Sequence, residues 1–189
     1  YICGNPPYLG SKWQSAEQKE DLGRIFEGRT KSWKSLDYVA GWFMKAADYG
    51  LHTPTVSAFV STNSICQGLQ VSILWPLIFK TGHEIAFAHT SFKWANLASH
   101  NAGVTVAIVA ISNHLSSARK LYSEADAGGV LLSEPDNINA YLVAGRNIEV
   151  SPLRKSISGN AYMDLGNMPK DGGHLLMSRQ EADDLISRE

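Results

Sequence analysis

Asn5-Pro6-Pro7-Tyr8 is the stretch of this sequence whose residue types could do chemistry together. At average residue frequencies such a tetrapeptide arises by chance in about one chain in a thousand of this length. Each proline fixes φ and removes a backbone donor, so the motif is a rigid run of carbonyl acceptors beside one Asn amide. That array suits an amino group conjugated to a ring or a carbonyl, a poor nucleophile because its lone pair is delocalised. The Asn5 Oδ1 and the Pro6 carbonyl can accept its two hydrogens and favour the pyramidal geometry in which it attacks, and Tyr8 offers a flat face for a ring. This is orientation and electrostatic stabilisation, not general-base chemistry. The same four residues also suit a plain Pro-Pro turn capped by Asn.

To work, the motif must stand at the carboxyl end of a strand, where open α/β sheets place their ligands. The apolar opening Tyr1-Ile2-Cys3 supplies that strand. Leu36, Val39, Ala40, Phe43, Met44 and Ala47 recur at helical spacing, with Ser35 as N-cap, Asp37 in the first turn and Gly50 near the end. Residues 55–61 are short, β-branched and mostly apolar, a buried strand. Val71, Leu74, Trp75 and Ile78 mark a helix over residues 69–80 that stops at Gly82, with a kink or a late start at Pro76. Strands follow at 84–89 and 103–112. Alternating strands and helices predict an α/β layered domain with a largely parallel sheet. The last two strands lack a helix between them and are expected to pair as an antiparallel hairpin at one edge. Beyond residue 115 the signals weaken to short strands and turns, at Gly128-Gly129, Pro135-Asp136 and Gly172-Gly173.

The 189 residues are 44% apolar and 19% charged, a globular composition able to bury a core. A net charge of −1 excludes a polycation that binds by bulk charge, but not a DNA enzyme, which needs only a local basic face. Charge is uneven: net +1 over residues 1–60, +2 over 61–125 and −4 over 126–189. The sign changes where the hydrophobic pattern changes, which puts a boundary near 115–130. The longest apolar run, Val106 to Ile111, is strand-sized, far short of the roughly 18–20 residues of a membrane span. Two separated cysteines, Cys3 and Cys66, fit a reducing cytoplasm better than a disulfide framework. An apolar strand at the start without an initiator Met suggests a piece of a longer protein.

Asn-Pro-Pro-Tyr is the catalytic motif of amino-methyltransferases that use S-adenosylmethionine, including DNA adenine enzymes. The likeness runs further. Gly4 to Tyr8 with Gln14-Ser15-Ala16-Glu17-Gln18, Leu36-Asp37-Tyr38-Val39-Ala40, Phe59 to Ile65, Phe92-Lys93-Trp94 and Asp171-Gly172-Gly173 resemble the MmeI-like branch. Those are bacterial restriction–modification enzymes that join nuclease, methyltransferase and target-recognition regions in one chain. The resemblance covers nearly the whole sequence. It implies double-stranded DNA as partner, a Rossmann-like methyltransferase fold, and methyl transfer to the N6 amine of a flipped adenine. By that resemblance Asn5, Pro6 and Pro7 serve the amine and Tyr8 stacks on the base. A second aromatic between the last two strands closes on the other face, Phe92 first and Trp94 second; stacking offsets the few kcal/mol of unstacking that flipping costs. It further implies a partial catalytic domain over 1–115, then a linker and the start of the recognition region over 116–189.

One departure is plain. Family members bind the cofactor with a Gly-rich turn and a following acidic residue. None of the sixteen glycines here are spaced as G-x-G, and in the family's order that motif precedes Asn-Pro-Pro-Tyr. The expectation is that the cofactor half is missing, that the isolated chain is inactive and binds S-adenosylmethionine weakly or not at all, and that its sheet has an exposed edge.

Weaker signals surround the motif. Lys12, Lys19, Arg24, Lys31 and Lys34 could meet phosphates, as could Lys93, but Glu17, Glu20, Asp21 and Glu27 are interleaved, which equally suits a solvated helix. Ser61-Thr62-Asn63-Ser64 either lines the same cleft or is a polar loop. The six histidines show no H-E-x-x-H spacing, so no metal site is expected. Two other functions fit the motif less fully: a protein glutamine amide methyltransferase, against which the long segment after 112 argues, and a catalytically inert DNA-binding piece.

Overall fold

The computed structural model describes residues 1–93, 105–114, 118–125, 128–148, 150, 153, 158–159 and 177–187. Trp94, Gly103 and the expected turn at Gly172-Gly173 lie outside these residues. The chain forms two compact units, Tyr1–Ser151 and Pro152–Glu189. In the second unit, one helix is described, Arg179–Ile186 (α4), started by a capping box in which Ser178 and Glu181 exchange side-chain bonds to each other's backbone N–H. Those bonds hold the Glu181 carboxyl below its ordinary range.

The first unit is a six-stranded sheet with three helices. Strands β1 (Ile2–Gly4), β2 (Ser57–Thr62), β3 (Glu84–Lys93), β4 (Thr105–Ser112), β5 (Lys120–Glu124) and β6 (Val130–Ser133) lie in the order β1-β2-β4-β3-β5-β6. Helix α1 spans Ala16–Phe26, α2 Ala40–Gly50 and α3 Gly68–Lys80. The α1 start is local: Ser15 and Gln18 form a capping box, and Leu22 and Phe26, four apart, go into the core.

Two expectations need correction. First, the sheet is mixed. β1 pairs parallel with β2 and β3 with β5, whereas β4 runs antiparallel to both β2 and β3, and β6 to β5. β1, β2, β3 and β5 therefore share one direction, as the crossover through α3 requires; the reversed β4 inserts between β2 and β3 and turns their pairings antiparallel. Second, the β3–β4 pair is antiparallel as expected but does not end the sheet, because β5 adds along β3 and β6 follows it. The β5–β6 turn uses Gly128 and Gly129 at φ 80° and 107°, a conformation that only glycine adopts freely.

Helix α2 also starts later than its pattern suggested. Ser35 ends a short 3₁₀ turn, Trp33–Ser35, and α2 begins at Ala40. Its N-cap, Val39, receives no side-chain cap bond; in the turn before it, Asp37 Oδ1 accepts from Val39 N at 3.2 Å. α3 begins at Gly68, so Pro76 lies inside it, where it removes one backbone bond. The core forms where the helices meet the sheet: Phe43 of α2 sits edge-on to Phe59 of β2 at 5.2 Å and 6.0 Å from Trp75 of α3. Trp75 Nε1 donates to the Ile65 carbonyl at 2.8 Å, which satisfies the indole inside that core.

Candidate active site

Because β1, β2 and β3 point the same way, their carboxyl ends share one rim of the sheet. Asn5 leaves the end of β1, Asn63 the end of β2, and Phe92 and Lys93 finish β3. The chemistry-bearing motif thus stands where the fold places ligands.

Gly4 is held in register with Phe59 by the β1–β2 ladder, and the next four residues are the motif. Pro6 is buried, Asn5 and Pro7 are exposed, and Tyr8 is half-buried against the core. The Asn5 side chain makes no hydrogen bond to a described residue, so its amide is open to a ligand. Asn5, Pro6 and Pro7 line an open groove of about 470 Å³ with Trp42, Tyr49 and Phe59. The groove runs along β1, the terminal strand of the sheet, whose residues are exposed.

The chain leaving Tyr8 is gripped from several sides. Leu9 N donates to Asp37 Oδ1 at 2.9 Å, and the Leu9 carbonyl accepts from Gln14 Nε2 at 2.8 Å and from Tyr38 N at 3.0 Å. Gln14 Nε2 also donates to the Leu36 carbonyl at 2.9 Å. Asp37 N donates to Gln70 Oε1 and Gln70 Nε2 to the Ser35 carbonyl, both at 2.9 Å. Sequence reasoning placed Asp37 in a helical turn and gave Gln14 and Gln70 no task. The usable signal was a polar residue inside an otherwise apolar pattern, since buried Asp and Gln need partners. Beside this knot, Tyr38 donates its hydroxyl to Asp21 at 2.9 Å, and that bond, with burial and the carboxylate's charge, raises its pKa.

On β3 the register slips between His89 and Phe92: three residues there span two on β4, from Ile108 to Val106. Such a bulge re-aims side chains. Phe92 therefore stands in the strand rather than in the connection after it, with its ring edge-on to His89 at 4.8 Å; His89 in turn stacks on Tyr122 of β5 at 6.3 Å. Ser91 in the bulge donates to Asn63 Oδ1, which ties the ends of β2 and β3 together. Ser61 is buried, and Thr62 and Ser64 hydrogen-bond each other at 2.6 Å.

Residues 1–123 match the family model described as MmeI, DNA-methyltransferase domain, and residues 144–189 the model described as MmeI, target recognition domain. The chain belongs to the MmeI family. DNA methyltransferase A of Bacillus subtilis (strain 168) is 48% identical over 188 residues, which is 100% of this chain and 21% of that protein. A Type IIL restriction–modification enzyme, MmeI, solved in complex with DNA, matches with a TM-score of 0.84 and 40% identity over 100% of this chain and 25% of that one. The chain therefore spans between a fifth and a quarter of the length of these two relatives.

In this MmeI-family chain the basic residues are scattered. Lys19, Arg24 and Lys34 share one groove with Glu20, Glu27 and Trp33. Arg24 pairs with Glu20 at 2.5 Å, and Lys34 lies 5.6 Å over the Trp33 ring. Lys12, Lys31 and Lys93 are exposed and do not line that groove. Trp94 is outside the described residues. Among the described residues no cluster of His, Cys, Asp or Glu could hold a metal ion, and no helix is long and apolar enough to cross a membrane. The family generally implies S-adenosylmethionine, but among the described residues the groove beside Asn5 has Lys45 as its one charged lining residue and no carboxylate for ribose hydroxyls. These residues alone do not fit the whole cofactor.

Proposed function

We propose that this chain carries the acceptor side of a site-specific DNA adenine methyltransferase within a restriction–modification enzyme. Asn5 at the carboxyl end of β1, with its amide open to a groove and two rigid prolines behind it, carries the reading. The adenine amine donates its two hydrogens to Asn5 Oδ1 and the Pro6 carbonyl. The Pro6 carbonyl lies in a buried, proline-fixed stretch before the base arrives, which limits the reorganisation that accompanies attack. Tyr8 stacks on one face of the flipped base and Phe92, aided by Trp94, on the other, which offsets the cost of unstacking. S-adenosylmethionine is the methyl donor that the family implies; the part of the protein that holds it is not supplied by this groove, so the isolated chain binds it weakly and is inactive.

Lys12, Lys19, Arg24, Lys31, Lys34 and Lys93 are proposed to meet the phosphates of duplex DNA. All six are exposed, and such contacts need charge rather than fixed geometry. Residues 1–115 hold the catalytic part and 116–189 the connection and the start of target recognition; the recognition model's match from residue 144 supports that order. The enzyme works in the bacterial cytoplasm.

The decisive experiment is expression of the full-length gene product in a host without its own DNA methylation, with modified bases mapped by single-molecule sequencing. N6-methyladenine at one fixed motif is the expected result. Unmodified DNA from soluble, cofactor-binding protein would overturn the proposal and favour a protein amide as acceptor.

A further inference from the structure

We infer that Asp37, supported by Gln14, is a positioning residue for the Asn5–Tyr8 loop; this rests on the methyltransferase reading above. Pro6 and Pro7 have no N–H with which to anchor themselves, so beside the packing of Pro6 and Tyr8 the loop's hydrogen-bonded anchors lie at its two ends. At the near end the parallel ladder holds Gly4 opposite Phe59. At the far end both polar groups of Leu9 are bonded: its N–H to Asp37 Oδ1 at 2.9 Å, its carbonyl to Gln14 Nε2 at 2.8 Å and Tyr38 N at 3.0 Å. The catalytic residues are a four-residue span between these mounts.

Asp37 can serve as a mount because it is itself immobilised. It is 4% exposed, its Oδ1 also takes the Val39 N–H that leads into α2, and its own N–H is donated to Gln70 on α3 at 2.9 Å. Asp37 thus refers the loop to the turn into α2 through its carboxylate and to α3 through its own N–H. Asp37 touches neither amine nor base in this scheme. It acts through Leu9, by keeping Asn5 Oδ1 and the Pro6 carbonyl where the amine's hydrogens arrive. A misplacement of about 1 Å in such an array costs on the order of 10²-fold in rate.

The test uses the full-length gene product with S-adenosylmethionine and a duplex carrying its mapped motif. Single-turnover transfer, equilibrium binding of both ligands and amide hydrogen exchange are measured for wild type, Asp37→Ala and Asp37→Asn. The expected result for Asp37→Ala is transfer slowed roughly 10²-fold with both Kd values little changed, and lost protection at the Leu9 amide while β2 and β4 stay protected. Asn keeps an Oδ1 acceptor, so Asp37→Asn is expected to restore most of the rate. Transfer at the wild-type rate in Asp37→Ala overturns the inference. So does a rate lost only in step with ligand binding or folded fraction and not rescued by Asn. Should Asp37→Ala fail to fold, Gln14→Met removes the side-chain donor shared by the Leu9 and Leu36 carbonyls while Asp37 keeps its bond to Leu9 N; slower transfer with binding intact supports the mount, and an unchanged rate overturns it. Wild-type methylation of an amine other than adenine sinks the function proposed above, and the Asp37 comparison is then scored on that amine.

Discussion

At the carboxyl end of β1, side-chain hydrogen bonds hold the backbone behind the motif: Asp37 and Gln14 grip Leu9, and Asn5 keeps its amide open. At the opposite end of the sheet the groups are packed shut. His83, 2% exposed, stands just before β3 with Nδ1 2.8 Å from Thr81 Oγ1 and Nε2 buried without a partner among the described residues. It fits because the facing residue is Gly50, where a Cβ would come within 2.2 Å of the ring. Asn113, just after β4, donates to the Gly50 carbonyl at 2.5 Å, and Arg119 pairs with Glu84 at the start of β3. One end fixes the backbone so that side chains stay available. The other uses its side chains to close the fold.

If that contrast is right, the largest effect on activity comes from the open end. Asn5→Ala should lower single-turnover methyl transfer by about 10²–10³-fold, the usual cost of losing one preorganised hydrogen-bonding group, while circular dichroism and melting stay those of wild type. Phe92→Ala should weaken base flipping by about 1–3 kcal/mol, the worth of one base–aromatic stack, read as reduced 2-aminopurine fluorescence at the target position. At the closed end the effects should fall on stability instead. Gly50→Ala forces a methyl onto His83 and should cost about 1–3 kcal/mol in denaturant unfolding, with the transfer rate per folded molecule unchanged. A Gly50→Ala enzyme that is stable but slow would break the division between the two ends.

A subtler effect sharpens it. Burial lowers the His83 pKa below its ordinary value, against the smaller opposing pull of its Thr81 hydrogen bond and the Asp48 charge. The folded state therefore binds that proton less readily than the unfolded chain. Stability from His83 is full above about pH 6.5 and is lost as pH falls below that value. Melting temperature followed from pH 7.5 to 5 should fall more in wild type than in His83→Gln. The smallest change is expected from Arg24→Ala: its ion pair with Glu20 is largely exposed, so unfolding should shift by no more than about 1 kcal/mol.

The legible parts of this molecule were those governed by neighbours in sequence. Two prolines after an apolar strand define a rigid acceptor array locally, and the structure places that array at the carboxyl end of β1. The Phe43, Val71 and Trp75 periodicities mark core faces because helical spacing alone decides which residues share a face. The misplaced features depended on distant partners. Helix α2 starts at Ala40 rather than 36: Leu36 is extended and the Asp37 N–H goes to Gln70, 33 residues later, which no local propensity records. Phe92 belongs to a longer β3 than its own pattern indicates, because β4 pairs with it as far as Lys93 opposite Thr105.

By itself, then, the sequence determined the chemistry on offer and the types of the main elements, since both follow from residue identity and short-range spacing. It also carried the family resemblance that the comparisons bear out. Only the tertiary structure decided that β4 inserts between β2 and β3, that β5 and β6 extend the sheet beyond the hairpin, and that Asp37, Gln14 and Gln70 converge behind the motif. The physical reason is the same in each case. Backbone pairing and buried hydrogen bonds join groups tens of residues apart, and their partners are selected when the chain packs rather than by the residues beside them.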